Sequence, residues 1–205
     1  APDIPALARR AMYRLPQLWQ RHRNAEDLLV VRLGEFHTES KVSYSIPEQG
    51  NNELVDEANR ELGHFKTMRE VPYTADLKSL GVIALVGKPA SVMEVSASLL
   101  VQIATLHSPE DVIVAIISPN ANRTSDDLLD LARASRFIPH SRSLSSPISG
   151  THTATGRTEA DELLGSLLGI AYDRLQRKTS QDAPVWPWIE VFIDETSRGT
   201  IDLNT

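Results

Sequence analysis

The chain has 205 residues, 41% hydrophobic but only 5% aromatic, with no cysteine and a net charge of −6. That length suits one large domain with an appendage; the missing cysteine excludes a disulfide framework, a thiolate metal site and a cysteine nucleophile, and agrees with a reducing compartment. The charge is uneven: residues 1–24 hold Arg9, Arg10, Arg14, Arg21 and Arg23 against Asp3 alone, net +4 with −10 left for the rest, and so acidic a body argues against a nucleic-acid-binding surface.

Residues 5–23 read as a short helix or two, broken near Pro16, with Tyr13, Leu15, Leu18 and Trp19 on one side and arginines on the other. The segment is either a stalk leading from something upstream or a helix packed on its own domain. Its basic side suits a solvated face, an anionic lipid surface or an acidic neighbour. Asp27–Leu33 is rich in branched apolar residues and predicts a strand. Lys41–Ile46 alternates with period two and predicts a second one, paired to the first across GEFHTES. Leu54, Ala58, Leu62 and Phe65 place a helix over 52–68, which Val71-Pro72 would close.

The centre of the pattern is Gly81–Ser118. Val82–Val86 predicts a strand, Gly87-Lys88-Pro89-Ala90 a turn, and the apolar positions from Val92 to Leu106 a buried helix opened by a Ser91/Glu94 capping box. Val112–Ile117 is uninterrupted aliphatic, the mark of a strand covered on both faces in a parallel sheet. The Val86-to-Val112 connection is then a βαβ crossover. A helix capped by Thr124 or Ser125 runs to Ala134. Residues 141–157 predict a mobile loop, Thr158 to about Arg177 a long helix, Trp188–Ile193 a buried strand and Ile201–Leu203 a short one. This alternation gives a doubly wound α/β fold with a mostly parallel sheet, three-layered and like that of P-loop NTPases, after an N-terminal helical stalk. The division expected is residues 1–24 as stalk and 25–205 as domain.

A phosphate loop needs G-x-x-x-x-G-K-[ST], with glycine amides around the phosphates, a lysine on β/γ oxygens and a hydroxyl for magnesium. Counted from Gly87, the last three positions are Val92, Met93 and Glu94, and a carboxylate would repel phosphate there. Gly87, Lys88 and Ser91 keep at most a degenerate phosphate contact at a helix N-terminus. Asp194 and Glu195, after a hydrophobic strand, have the form of a Walker B pair for magnesium and the attacking water. The six histidines (22, 37, 64, 107, 140, 152) show no ligand spacing. His107, before Ser-Pro at a helix end, reads as a dipole partner rather than a base. There is no G-x-S-x-G elbow. Trp186 and Trp188 suit a partner contact or burial on the long helix. No run of roughly 18 apolar residues predicts a membrane span, and the N-terminus lacks the apolar core of a secretory signal. The chain opens on Ala1 and stops at TIDLNT, so a segment of a longer protein is expected.

AMYRLPQLWQRHRNAEDLLVVRLG, VPYTADLKSLGVIALVG, LVQIATLHSPEDVIVAI, RFIPH and WIEVFID occur in that order. Together they resemble the domain just after the membrane anchor in the FtsK/SpoIIIE-type ATPase of type VII (ESX) secretion systems, the EccC/EssC class. Leu106, His107, Ser108, Pro109 and Asp111 carry the likeness best. The resemblance implies a parent bacterial chain at the cytoplasmic face of the membrane, with tandem ATPase modules exporting small helical proteins. This piece is then the membrane-proximal module, degenerate at Val92, Met93 and Glu94. Its implied partners are the other secretion-complex components and the downstream ATPase domains. ATP and Mg2+ belong to the parent, with none expected here. The rival expectation is an active non-standard NTPase working through Asp194 and Glu195; DNA translocation is a third, disfavoured by the acidic body.

Overall fold

The protein is described here by a computed structural model covering residues 2–43, 45–46, 51–118, 127–143, 147–178 and 186–193, with Asn52, residues 127–130 and Lys178 described by backbone alone. It divides into two compact units, Val30–Ala75 and Pro2–Leu29 with Asp76–Thr205. The elements are α1 (Ile4–Met12), β1 (Val30–Glu39), α2 (Asn52–His64), β2 (Thr67–Asp76), α3 (Leu77–Leu80), α4 (Pro89–Leu106), β3 (Val112–Ile117), α5 (Asp127–Ser135), β4 (Arg142–Ser143), β5 (Gly150–Thr151), β6 (Thr153–Ala154), α6 (Arg157–Lys178) and β7 (Trp188–Ile193).

In the smaller unit β1 and β2 form a two-stranded sheet. Ser40 N–H donates to Lys66 O at 2.8 Å, joining the end of β1 to the start of β2, as an antiparallel ribbon requires. Phe36 and Tyr73 meet edge to face at 5.6 Å. Three expectations are corrected here. The β1 strand begins later than Asp27 and runs on through Gly34 and the GEFHTE stretch. Its partner is β2 rather than Lys41–Ile46, whose described residues form no strand. The helix over 52–68 ends at His64, and Val71-Pro72 lies inside β2, where the outer edge of a two-stranded ribbon tolerates the missing N–H.

The larger unit holds a parallel sheet in the order β6-β3-β7. β7 pairs with β3 along its whole length, from Val112↔Trp188 to Ile117↔Ile193, and β6 pairs through Ile116↔Thr153 and Ile117↔Ala154. Every residue of β3 is buried, at 0–4% exposure. Successive strand residues face opposite sides, so both faces of β3 are covered. The α6 helix covers the face of Ala115 and Ile117 with Ala160, Leu163, Leu164, Leu167 and Ile170; α5 and a 3-10 turn at Pro139–Ser141 also lie against β3. The predicted α/β fold with a parallel sheet is therefore present, and the arrangement is compatible with that of P-loop NTPases.

Val82–Val86 corrects the reading of the central unit. It forms no strand, and Val82 and Val86 are 88% and 95% exposed. Both edges of β3 are taken by β6 and β7, so Val82–Val86 does not pair with β3 as a βαβ crossover would require. The parallel crossovers therefore run from β3 through α5 to β6 and from β6 through α6 to β7. The capping box is also absent: Lys88 is the N-cap of α4 without a side-chain bond, Pro89 opens the helix, and Ser91 and Glu94 are exposed. Residues 141–157 are not simply a loop, because β5 pairs with β4 and β6 forms an edge of the sheet, burying Ile148, His152 and Ala154. β7 is half-exposed rather than buried, with Val191 at 39% and Ile193 at 37%. Of the two readings for the N-terminal segment, α1 takes the packed one: Leu7 is fully buried and α1 lies on α4. The Pro119-Asn120 turn, the Thr124/Ser125 cap and the Ile201–Leu203 strand fall outside the described residues.

α4 is 18 residues long and apolar enough, by length and composition, to cross a membrane. In this fold its start is exposed and the burial lies from Ser96 onward, where polar Ser96, Gln102 and Thr105 are buried beside Leu99, Leu100, Ile103 and Leu106.

Candidate functional site

The C-terminal carbonyls of a helix lack intrahelical partners and must find others when buried. At the end of α4 nearly all of them are met by the segment after α1 and by a second histidine. Trp19 donates its indole Nε1–H to Ala104 O (3.0 Å) and its backbone N–H to Thr105 O (2.9 Å). Arg21 N–H donates to Leu106 O (2.9 Å), and His140 Nε2–H to His107 O (2.8 Å). Ile103 O accepts from the backbone N–H of His107 and from its ring Nδ1, both at 3.1 Å.

His107 is the centre of this joint and is fully buried. Leu29 N–H donates to its Nε2 at 3.0 Å. Nε2 is thus an acceptor, which leaves the proton on Nδ1 facing Ile103 O. Burial, with smaller contributions that include the nearby Arg21 charge, lowers its pKa from 6.5 to about 4. His107 is therefore neutral at pH 7, a hydrogen-bonding bridge and not a cation set on the helix dipole. Burial likewise lowers the pKa of His140 and His152.

Two ion pairs fasten the same segment. Arg21, 5% exposed, has Nε 2.7 Å from Asp27 Oδ2; desolvation outweighs the Asp27 attraction and lowers the Arg21 pKa. Arg23 places Nε and Nη2 at 2.9 and 2.8 Å from Oδ1 of buried Asp111. The Asp111 carbonyl accepts from Trp188 N–H at 2.9 Å, and the Arg23 guanidinium lies 5.2 Å from the Trp186 ring centre. Trp186 and Trp188 meet edge to face at 6.3 Å, both half-buried. Ser108 closes the turn: its hydroxyl accepts from Glu110 N–H and its carbonyl from Asp111 and Val112. The Leu-His-Ser-Pro-x-Asp motif thus ties α4, the arginine segment and the start of two strands.

Gly87, Lys88 and Ser91 stand together at the exposed start of α4, with no strand leading into them. Among the described residues, a Cβ added at Gly87 would meet only Val92 Cγ2, at 3.8 Å. A strand–turn–helix unit exists elsewhere, between β6 and α6, through Thr155 and Gly156. Sequence reasoning missed it, although Gly156-Arg157-Thr158 has the form of the end of a phosphate loop with arginine for lysine. There the Glu159 carboxylate already accepts from Thr155 N–H (3.0 Å) and Thr155 Oγ1 (3.4 Å). Asp194 and Glu195 lie outside the described residues, directly after β7. On β7 itself, Glu190 stands in register with Val114, and burial raises its pKa. Among the described residues no group of three or more histidine, aspartate or glutamate side chains could hold a metal ion.

No protein-family model matches the chain. It is similar to the ESX-4 secretion system protein EccC4 of Mycobacterium tuberculosis, 27% identical over 132 residues, which cover 62% of this chain and 10% of that protein. It is also similar to the type VII secretion system protein EssC of Staphylococcus aureus, 26% identical over 165 residues, covering 78% of this chain and 10% of that protein. The chain thus spans about a tenth of the length of the curated relatives it matches.

Proposed function

We propose that this chain is a membrane-proximal module of a type VII secretion ATPase of the FtsK/SpoIIIE type, a degenerate nucleotide-binding fold that couples a membrane anchor to downstream motor domains on the cytoplasmic side. The observation that carries this reading is the joint at His107. The basic N-terminal segment is bonded to the last turn of α4 and, through Arg23–Asp111, to the start of β3. Motion of that segment would therefore reach the sheet through directional bonds, not through a loose linker. The likeness to EccC4 and EssC supports the secretion setting. Partners are the neighbouring complex components and the remaining domains of the parent.

Two observations support degeneracy. The Gly87–Ser91 turn has neither a lysine nor a hydroxyl at loop spacing, and at the β6–α6 turn a carboxylate of the chain itself fills an amide that a phosphate would use. Calorimetry with ATP and magnesium on the 205-residue chain tests this. No binding is expected at micromolar concentration; micromolar binding that Asp194→Asn removes would overturn it. In the full-length parent, Asp111→Ala with Arg23→Ala is expected to impair export while leaving the amount of protein unchanged.

The rival, an active NTPase, draws on the sequence: Asp194 and Glu195 follow directly on the hydrophobic strand β7, which pairs in parallel with β3. Phosphate release that Glu195→Gln abolishes would establish it.

A further inference from the structure

The outward face of α1 is apolar, which is the reverse of a solvated helix. Leu7 and half-buried Arg10 face inward, whereas Ile4, Ala8, Ala11 and Met12 face out, with Met12 at 73% exposure. Tyr13 continues this surface at 67%. Arg9 and Arg14 are exposed beside these residues. Of the other arginines in the segment, Arg21 and Arg23 are held in ion pairs with Asp27 and Asp111. Two exposed arginines therefore flank the apolar patch, with the exposed N-cap Asp3 at the start of the helix, on a chain whose residues 25–205 carry net −10.

We propose that this face of α1 lies on an anionic lipid surface, with Ile4, Met12 and Tyr13 entering the interface and Arg9 and Arg14 meeting lipid phosphates. Apolar side chains flanked by arginine are what an interfacial helix requires. The acidic remainder is repelled by the same surface, so the charge asymmetry orients the chain α1-first. An acidic protein partner would use the two arginines but leave Met12 and Tyr13 without a role. The inference shares a membrane setting with the proposed function, but its observation is separate: it uses the outward face of α1, whereas the coupling joint uses residues after α1.

The test is co-sedimentation of the 205-residue chain with phosphatidylcholine vesicles and with vesicles also containing phosphatidylglycerol. Partition is expected only with the anionic vesicles, weakening as salt is raised. Arg9→Gln with Arg14→Gln is expected to lower it about 30-fold, at roughly fivefold or more per charge. Met12→Ser with Tyr13→Ser is expected to lower it at unchanged charge. All four side chains are exposed, so unchanged circular dichroism controls for folding. No partition, equal partition on both vesicles, or indifference to either pair of substitutions overturns the proposal. Failure of the unsubstituted chain to partition, with export still impaired by Arg23→Ala and Asp111→Ala in the parent, would remove this inference alone; export unimpaired by those two substitutions, with vesicle binding as expected, would remove the coupling role alone.

Discussion

The backbone N–H of Leu29 donates to Nε2 of His107 at 3.0 Å, while Nδ1 of the same ring faces Ile103 O at 3.1 Å. One neutral imidazole therefore bridges two stretches of chain 78 residues apart. Leu29, fully buried at φ 58, passes the tie on by accepting from Leu77 N–H at 3.1 Å. A protonated ring would turn a donor toward the Leu29 N–H and lose this bond.

Stability should accordingly fall with acid. The folded pKa of His107 lies below its unfolded value, so the unfolded chain binds more protons at low pH. Its contribution is complete above pH 6.5 and is lost as pH falls toward about 4. The shift from 6.5 to about 4 corresponds to about 3 kcal/mol, or a fall in Tm of roughly 6–12 °C for a chain of this size. His140 and His152, also lowered, act in the same direction. His107→Gln, which can accept from Leu29 and donate to Ile103 without titrating, should flatten the slope. A Tm in the wild type that does not change between pH 7 and pH 4.5 would contradict the assignment.

Arg23 and Asp111 should show measurable coupling. Asp111 is almost fully buried and Arg23 is half-exposed, so water screens the pair and partly receives an orphaned arginine. A double-mutant cycle of Arg23→Ala and Asp111→Ala by urea denaturation should give a coupling of about 1–2 kcal/mol. Zero coupling would mean that the N-terminal segment is held by its backbone bonds to the last turn of α4, without a contribution from this pair at the start of β3.

The start of α4 separates two views of its sequence. Ser91 and Glu94 have capping-box spacing, yet Lys88 is the N-cap and its side chain makes no capping bond. Ser91→Ala, Glu94→Ala and Gly87→Ala should each change stability by less than about 0.5 kcal/mol. Lys88→Ser should raise it by roughly 0.5–1 kcal/mol by supplying an acceptor and removing a cation from the positive end of the helix. A loss of about 1 kcal/mol in Ser91→Ala would restore the capping box.

Much of the parallel core was legible because its signals are local. Six consecutive aliphatic residues in β3 require cover on both faces, and α6 writes its inner face at helical spacing. Strand partnership is not local. Val82–Val86 is as apolar as β3, but nothing in its composition says that β6 and β7 already occupy both edges of β3. Ser, Thr and Gly hid β6 for the same reason, since its place in the sheet rests on backbone bonds from Ile116 and Ser118. The joint was half legible. His107-Ser-Pro marks a helix end in any sequence, but its use of Trp19, Arg21 and Leu29 depends on long-range packing. Asp194 and Glu195 lie outside the described residues, so the Walker B reading is carried by the sequence and by their position after β7.

Arg10 offers the last test. It faces inward from α1, and its Nη1 is buried without a hydrogen-bond partner among the described residues. Its charge also weighs unfavourably on Arg21. A half-buried cation beside another cation is disfavoured, whereas its aliphatic stem packs well. Arg10→Met keeps the stem and removes the charge, and should stabilise the chain by about 1 kcal/mol. Arg9→Met, on the exposed side, should leave thermal stability unchanged. Chemical denaturation of the two variants side by side reads the difference. Destabilisation by Arg10→Met greater than by Arg9→Met would show that the Arg10 guanidinium contributes favourably to the packing of α1 on α4.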